Sequence, residues 1–186
     1  MRTALLLMLL LVPEASAHRP STADAVTTID DPTVSWVVNG ELHDGDEVFR
    51  VKLDFPHPFA LPFELMTEHR AGAADFRPAL AIVGPGLPPA SDEVAARLPL
   101  PVPEGWGVYV DFNEATDREV YFEQVMRRTM YTTGSFAIAL REGPNEVWIW
   151  NPDETPGDWQ LGLGVEEDFT GGAFSDIFSH WGQYAY

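Results

Sequence analysis

Five histidines are the residues best suited to bind a transition metal in this chain, because it contains no cysteine. Cleavage after Ala17 would make His18 the first residue, joining a free α-amino group and an imidazole in one chelate. That pair suits Cu(II), and a second imidazole from His43, His57, His69 or His180 would complete the site. The competing reading is that His18 merely begins a flexible arm. Oxygen ligands cluster elsewhere. His43-Asp44-Gly45-Asp46-Glu47 and Asn151-Pro152-Asp153-Glu154 through Asp158 set carboxylates on turn-forming residues. Ca²⁺ would accept Asp44, Asp46 and Glu47 as ligands, although neither stretch has the alternating ligands of a twelve-residue calcium loop. Asp and Gly are equally good at simply making turns. Glu166-Glu167-Asp168 reads as a solvated rim.

Trp148 and Trp150 stand two apart in EVWIWN and so share one face of a strand. They could stack a sugar ring or an aromatic ligand, or they could receive the chain's own aromatic tail. Nucleophile and phosphate motifs are absent from the sequence: there is no Gly-x-Ser-x-Gly, no His-Glu-x-x-His and no Gly-x-x-x-x-Gly-Lys. With 29 carboxylates against 11 Lys+Arg, some pair would reach glycosidase spacing by chance, so such a pair carries no weight. The net charge of −18 also argues against nucleic acid and anionic lipid, which repel an acidic surface. Such a surface keeps an exported protein soluble, and it could also bind divalent cations.

The elements that would position these groups follow from periodicity. Residues 1–17, MRTALLLMLLLVPEASA, combine Arg2, an apolar run and Ala15-Ser16-Ala17, the pattern of a cleaved signal peptide. The apolar run is about half of the roughly 20 residues that span a bilayer. The expected protein is therefore secreted or periplasmic, without a membrane span. Residues 18–32 read as an extended arm, 33–170 as one domain and 171–186 as an aromatic tail.

In 47–55, Phe49, Val51, Leu53 and Phe55 alternate with polar residues, so this is a half-buried strand with the Phe49 face inward. With 34–42 it flanks an Asp-Gly turn cluster that predicts a hairpin. Residues 61–67, 79–83, 106–112, 119–124 and 136–140 add strands, 119–124 being chosen over a helix. Residues 146–151 and 158–165 look like a second hairpin. Residues 98–104 (LPLPVPE) read as a stiff polyproline-like connector. About nine short strands without a long helix predict an all-β antiparallel sandwich, jelly-roll-like. Phe174, Ile177, Phe178 and Trp181 fall at i, i+3, i+4 and i+7, which predicts a short C-terminal helix docking on the sandwich.

Two stretches carry a resemblance. Residues 146–165, with Trp159-Gln160-Leu161-Gly162-Leu163-Gly164, resemble the last hairpin of bacterial pre-peptidase C-terminal domains. Gly45-Asp46-Glu47-Val48-Phe49-Arg50-Val51 is similar to that family's first long strand. The order of the pieces also resembles a group of uncharacterised exported bacterial β-sandwich proteins, through His18-Arg19-Pro20-Ser21, Asp31-Pro32-Thr33-Val34-Ser35, the run from Arg77-Pro78-Ala79 to Gly84-Pro85-Gly86-Leu87-Pro88, and Gly164-Val165-Glu166-Glu167-Asp168-Phe169. The resemblance implies a fold and an exterior address, and no activity. The expected function is a non-catalytic binding or accessory module for an extracellular polymer, surface or protein partner, with calcium as a stabilising ion. The alternative is a copper protein built on His18.

Overall fold

Period-two alternation gives each strand one apolar face, and two layers of such strands can cover each other. The computed structural model describes residues 19–43, 47–123 and 127–164; the rest, including the expected C-terminal helix, lies outside them. The architecture is an all-β sandwich of a seven-stranded and a five-stranded sheet. The larger sheet runs β1 (Arg19–Thr22), β3 (Trp36–Leu42), β12 (Gly157–Leu163), β5 (Phe59–Glu68), β9 (Arg128–Thr132), β8 (Glu119–Glu123), with β10 (Phe136–Leu140) beside the other half of β5. The smaller runs β2 (Val26–Ile29), β4 (Val48–Phe55), β11 (Gly143–Trp150), β6 (Ala79–Pro85), β7 (Trp106–Asp111).

The core lies between the sheets. Val51, Leu53, Phe55, Leu80, Ile82, Val147 and Ile149 face Val38, Leu42, Leu61, Phe63, Leu65, Leu161 and Leu163 across it. Phe49 also turns inward, its ring edge-on to Trp159 at 5.3 Å. Each fully buried Val, Leu or Ile contributes roughly 1.5–3 kcal/mol. In a chain without disulfides that burial is the principal adhesive. Trp159 fits because Gly40 is its cross-strand partner: a Cβ there would fall 2.3 Å from the indole ring. On β5, two residues between Phe63 and Met66 oppose three between Thr132 and Phe136. Gly134, at φ 84°, takes up the extra residue as a bulge that separates β9 from β10.

Both expected hairpins are corrected. β3 and β4 belong to different sheets, as do β11 and β12. Links of five and six residues can span the roughly 10 Å between packed sheets. Alternation looks the same whether a strand returns to its own sheet or crosses to the other. The two crossings lie side by side, since β4 pairs with β11 and β3 with β12. The pairing is antiparallel except where the N-terminal arm joins each sheet. The N-terminal arm is extended, but β1 pairs parallel to β3 and β2 parallel to β4, so both sheets are mixed. The short helix α1 (Asp92–Ala95) is not among the expected elements; its N-cap Ser91 accepts a bond from the Val94 N–H at 3.2 Å.

The outer face of the five-stranded sheet has a second apolar cluster. Trp148 and Trp150 lie beside the small side chains of Ala81 and Ala79 on β6. Val94 of α1, Leu98, Leu100 and Val102 pack over them. Residues 98–103 form no helix or strand, which agrees with a proline-stiffened connector. Among the described residues, no helix is long and apolar enough to cross a membrane.

Candidate functional site

Register places Leu42, Glu68 and Gly157 at one end of the larger sheet, and Val48, Ala79, Asp111 and Trp150 at the matching end of the smaller one. Residues 43–47, 69–78, 112–118 and 151–156 all connect the sheets there. This loop end holds a cleft of about 400 Å³. Its walls include Glu68, Arg70, Phe76, Gly157 and Asp158. The Arg70 guanidinium reaches Glu68 Oε2 at 3.3 Å and Asp158 Oδ2 at 3.4 Å. Arg70 and Asp158 are more than half exposed, so this pairing contributes little to stability and can be exchanged for bonds to a ligand.

The frame behind the cleft is better anchored. Arg118 Nη1 donates to Thr67 Oγ1 at 3.2 Å and to the Phe76 carbonyl at 3.0 Å, and Nη2 donates to the Ala74 carbonyl at 2.7 Å. Its guanidinium also lies 3.8 Å from the centre of the Tyr131 ring, which packs on His69. Burial, then the neighbouring Arg77, lowers the Arg118 pKa from its ordinary value; the group remains a cation that ties the 69–78 loop to the sheet. Across the loop end, Asn113 Nδ2 donates to the Pro78 carbonyl at 3.2 Å. Asn151 organises the opposite wall, donating through Nδ2 to the Thr155 carbonyl and accepting from the Asp153 N–H at 3.2 Å.

Trp148 and Trp150 are 2% and 3% exposed, so the flat stacking surface expected of them is corrected: neither ring offers a face to a ligand. The cover is the 94–102 segment. The Trp148 indole N–H donates to Glu146 Oε2 at 2.7 Å, and Arg50 grips the same carboxylate through Nε at 2.9 Å and Nη2 at 2.7 Å. The alternative cover, tail residues 171–186, lies outside the described residues.

His18, Asp44 and Asp46 also lie outside them. Glu47 accepts the His43 backbone N–H and sits 3.4 Å from His43 Nδ1. Among the described residues, no group of three or more His, Asp or Glu side chains could hold a metal ion. His43 and His69 follow the ends of β3 and β5 at the loop end, whereas Arg19 pairs with Trp36 at the other. Six strand residues, roughly 20 Å, separate those levels. His57 precedes β5, three strands from β1, so more than roughly 14 Å separates it from Arg19. His180 is outside the described residues.

Of the cleft residues only Asp158 is among the ligands expected from the sequence, in the second oxygen cluster. The missed signal was modest: Glu68-His69-Arg70 ends a strand in a chain where cations are scarce.

No protein-family model matches the sequence, and no curated protein matches it. Among solved structures the chain is similar to CorA, described as a surface-associated copper-binding protein important in Methylomicrobium album BG8 copper acquisition. That likeness has 12% identity and a TM-score of 0.29, and covers 78% of this chain and 100% of that one. At that TM-score it carries no argument for the fold or chemistry here.

Proposed function

We propose that the protein is an exported binding module that recognises a neutral, hydroxyl-rich polymer of the cell exterior at its loop end. One observation carries this reading: the cleft between the 69–76 and 156–158 segments, where Glu68, Asp158 and Arg70 converge on a frame held by Arg118. Carboxylates accept from sugar hydroxyls, and a guanidinium donates to them in charge-assisted bonds. The net charge of −18 favours a neutral polymer over an anionic one. Affinity electrophoresis through soluble neutral glucans tests the idea. Retarded wild type, with Asp158→Asn and Arg70→Ala migrating faster, is the expected result. Equal retardation of all three would remove the cleft from the reading.

The second reading is copper chelation at a mature His18. The Arg19 backbone N–H donates to the Ser35 carbonyl at 2.9 Å, so the chain leaves residue 18 from a fixed point on the sandwich edge. Copper titration of the exported protein should show high-affinity binding that His18→Ala removes. Processing at any site other than Ala17 would end that reading.

A further inference from the structure

One row of side chains crosses the seven-stranded sheet on the face turned away from the core: Asn39, Gln160, Met66 and Thr132, on β3, β12, β5 and β9. Met130 lies in the next row, opposite Glu68. A sheet packed on one face commonly has the side chains of its other face in water. Here Gln160 is 9% exposed, Met66 and Thr132 are 6% exposed, and Met130 is 3% exposed. Neither methionine belongs to the core or to the cluster under residues 94–102. Among the described residues, Tyr121 meets the Met66 sulfur through its Oη, and Arg70 engages Glu68 and Asp158 at the loop end. Gln160 lies one strand beyond Met66, so Tyr121 does not account for its burial. Burial also leads the causes that raise the Tyr121 pKa on this face.

With residues 1–17 removed, one segment can supply the cover. Segments 44–46 and 124–126 are too short to reach Gln160 from the strand ends they connect. Residues 165–186 leave from β12 itself, the strand that carries Gln160. The Gly164 N–H donates to the Pro62 carbonyl at 3.2 Å, and its φ of 83° turns the chain there. Fully extended, the chain from Gly164 to Phe174 spans roughly 33 Å. Met130, the farthest of the buried group, is six residues along and two strands across from Gly164, roughly 22 Å. The stripe Phe174, Ile177, Phe178 and Trp181 requires an apolar surface, and the Trp148–Trp150 face is already closed by 94–102.

We propose that residues 165–186 fold back across the outer face of the seven-stranded sheet and set the 174–181 stripe over Gln160, Met66 and Met130. Two helical turns are about 12 Å long, enough to cross from β12 over β5 to β9. Ser175, Asp176, Ser179 and His180 then face water. Asp158 and Glu68 lie two residues on from Gln160 and Met66 on the same face, so the tail borders the cleft and limits the direction from which a ligand enters it. Tail docking stands whether or not the cleft binds a polymer.

The test is peroxide oxidation of the full mature chain, read by peptide mass spectrometry at Met66 and Met130. Both should oxidise at least tenfold more slowly in wild type than in Phe178→Asp/Trp181→Asp, whose stripe can no longer dock. Equal rates in the two proteins would overturn the proposal, whether fast, with the face open, or slow, with another cover. Protection that disappears on dilution, together with a dimer in sedimentation, would assign the face to a second copy instead. If the double variant does not melt cooperatively, a nitroxide on Ser179→Cys replaces it, since the chain has no other cysteine. That label should broaden the methyl resonances of Met66 and Met130, and one on Glu93→Cys, over the smaller sheet, should leave them sharp. Sharp resonances with the Ser179→Cys label, or equal broadening by both labels, would overturn the proposal.

Discussion

Trp148 and Trp150 on β11, and Val120 and Phe122 on β8, are both apolar pairs spaced two apart on a strand. By sequence the tryptophans are either a ligand surface or a seat for the chain's own tail, and Val120 and Phe122 are one face of a strand. Their environments are opposite. The tryptophans lie under α1 and residues 98–102, with alanines on β6 leaving room for the rings. Val120 and Phe122 lie on a hairpin that projects past β5. Spacing identifies which side chains share a face, and cover depends on which distant segment lies over it. Only the second can separate core from contact surface.

The contrast predicts a wide spread of mutational effects. Trp148→Ala should be the most damaging, lowering stability by about 3–5 kcal/mol in chemical denaturation, because a large buried ring leaves a cavity. A loss under 1 kcal/mol would mean that the 94–102 segment does not seal that face. Glu146→Ala follows at about 2 kcal/mol, since it strands the Arg50 guanidinium and the Trp148 N–H together. Arg50 keeps about a third of its side chain in water, which holds the cost below that of a fully buried pair.

Tyr121 tests the opposite side of the β8 strand. Its Oη donates to the Met66 sulfur at 2.8 Å, and its raised pKa means that the unfolded chain loses the phenol proton first. The stability it contributes is complete below the ordinary tyrosine value of 10.0 and declines as pH rises above it. Tyr121→Phe should therefore flatten the alkaline fall in melting temperature while changing little at pH 7. Phe122→Ser should have the smallest effect on stability, within about 0.5 kcal/mol, because the ring is already exposed. A large destabilisation there would place Phe122 in a packed environment and erase the contrast.

Much of the fold was legible in the chain. The inward face Phe49, Val51, Leu53 and Phe55 was readable because alternation is local. The choice of strand for 119–124 agrees with β8, and 98–104 is a connector free of regular structure. The topology was not legible. A turn such as 151–156 carries the same residues whether it closes a hairpin or crosses to another sheet, and the deciding contacts lie roughly 100 residues away in β3 and β4. The cleft was hidden for the same reason. Glu68 ends one strand and Arg70 follows it, Asp158 lies at the start of another, and only the pairing of β5 with β12 brings them together.

By itself, then, the order of residues determined the strands, their inward faces and an acidic surface, because these depend on neighbours within a few positions. Tertiary structure decided which sheet each strand joined, which aromatic pair was covered and where Arg70 found its carboxylates. Those outcomes follow from packing between segments far apart in the chain, where the same local pattern is compatible with more than one partner.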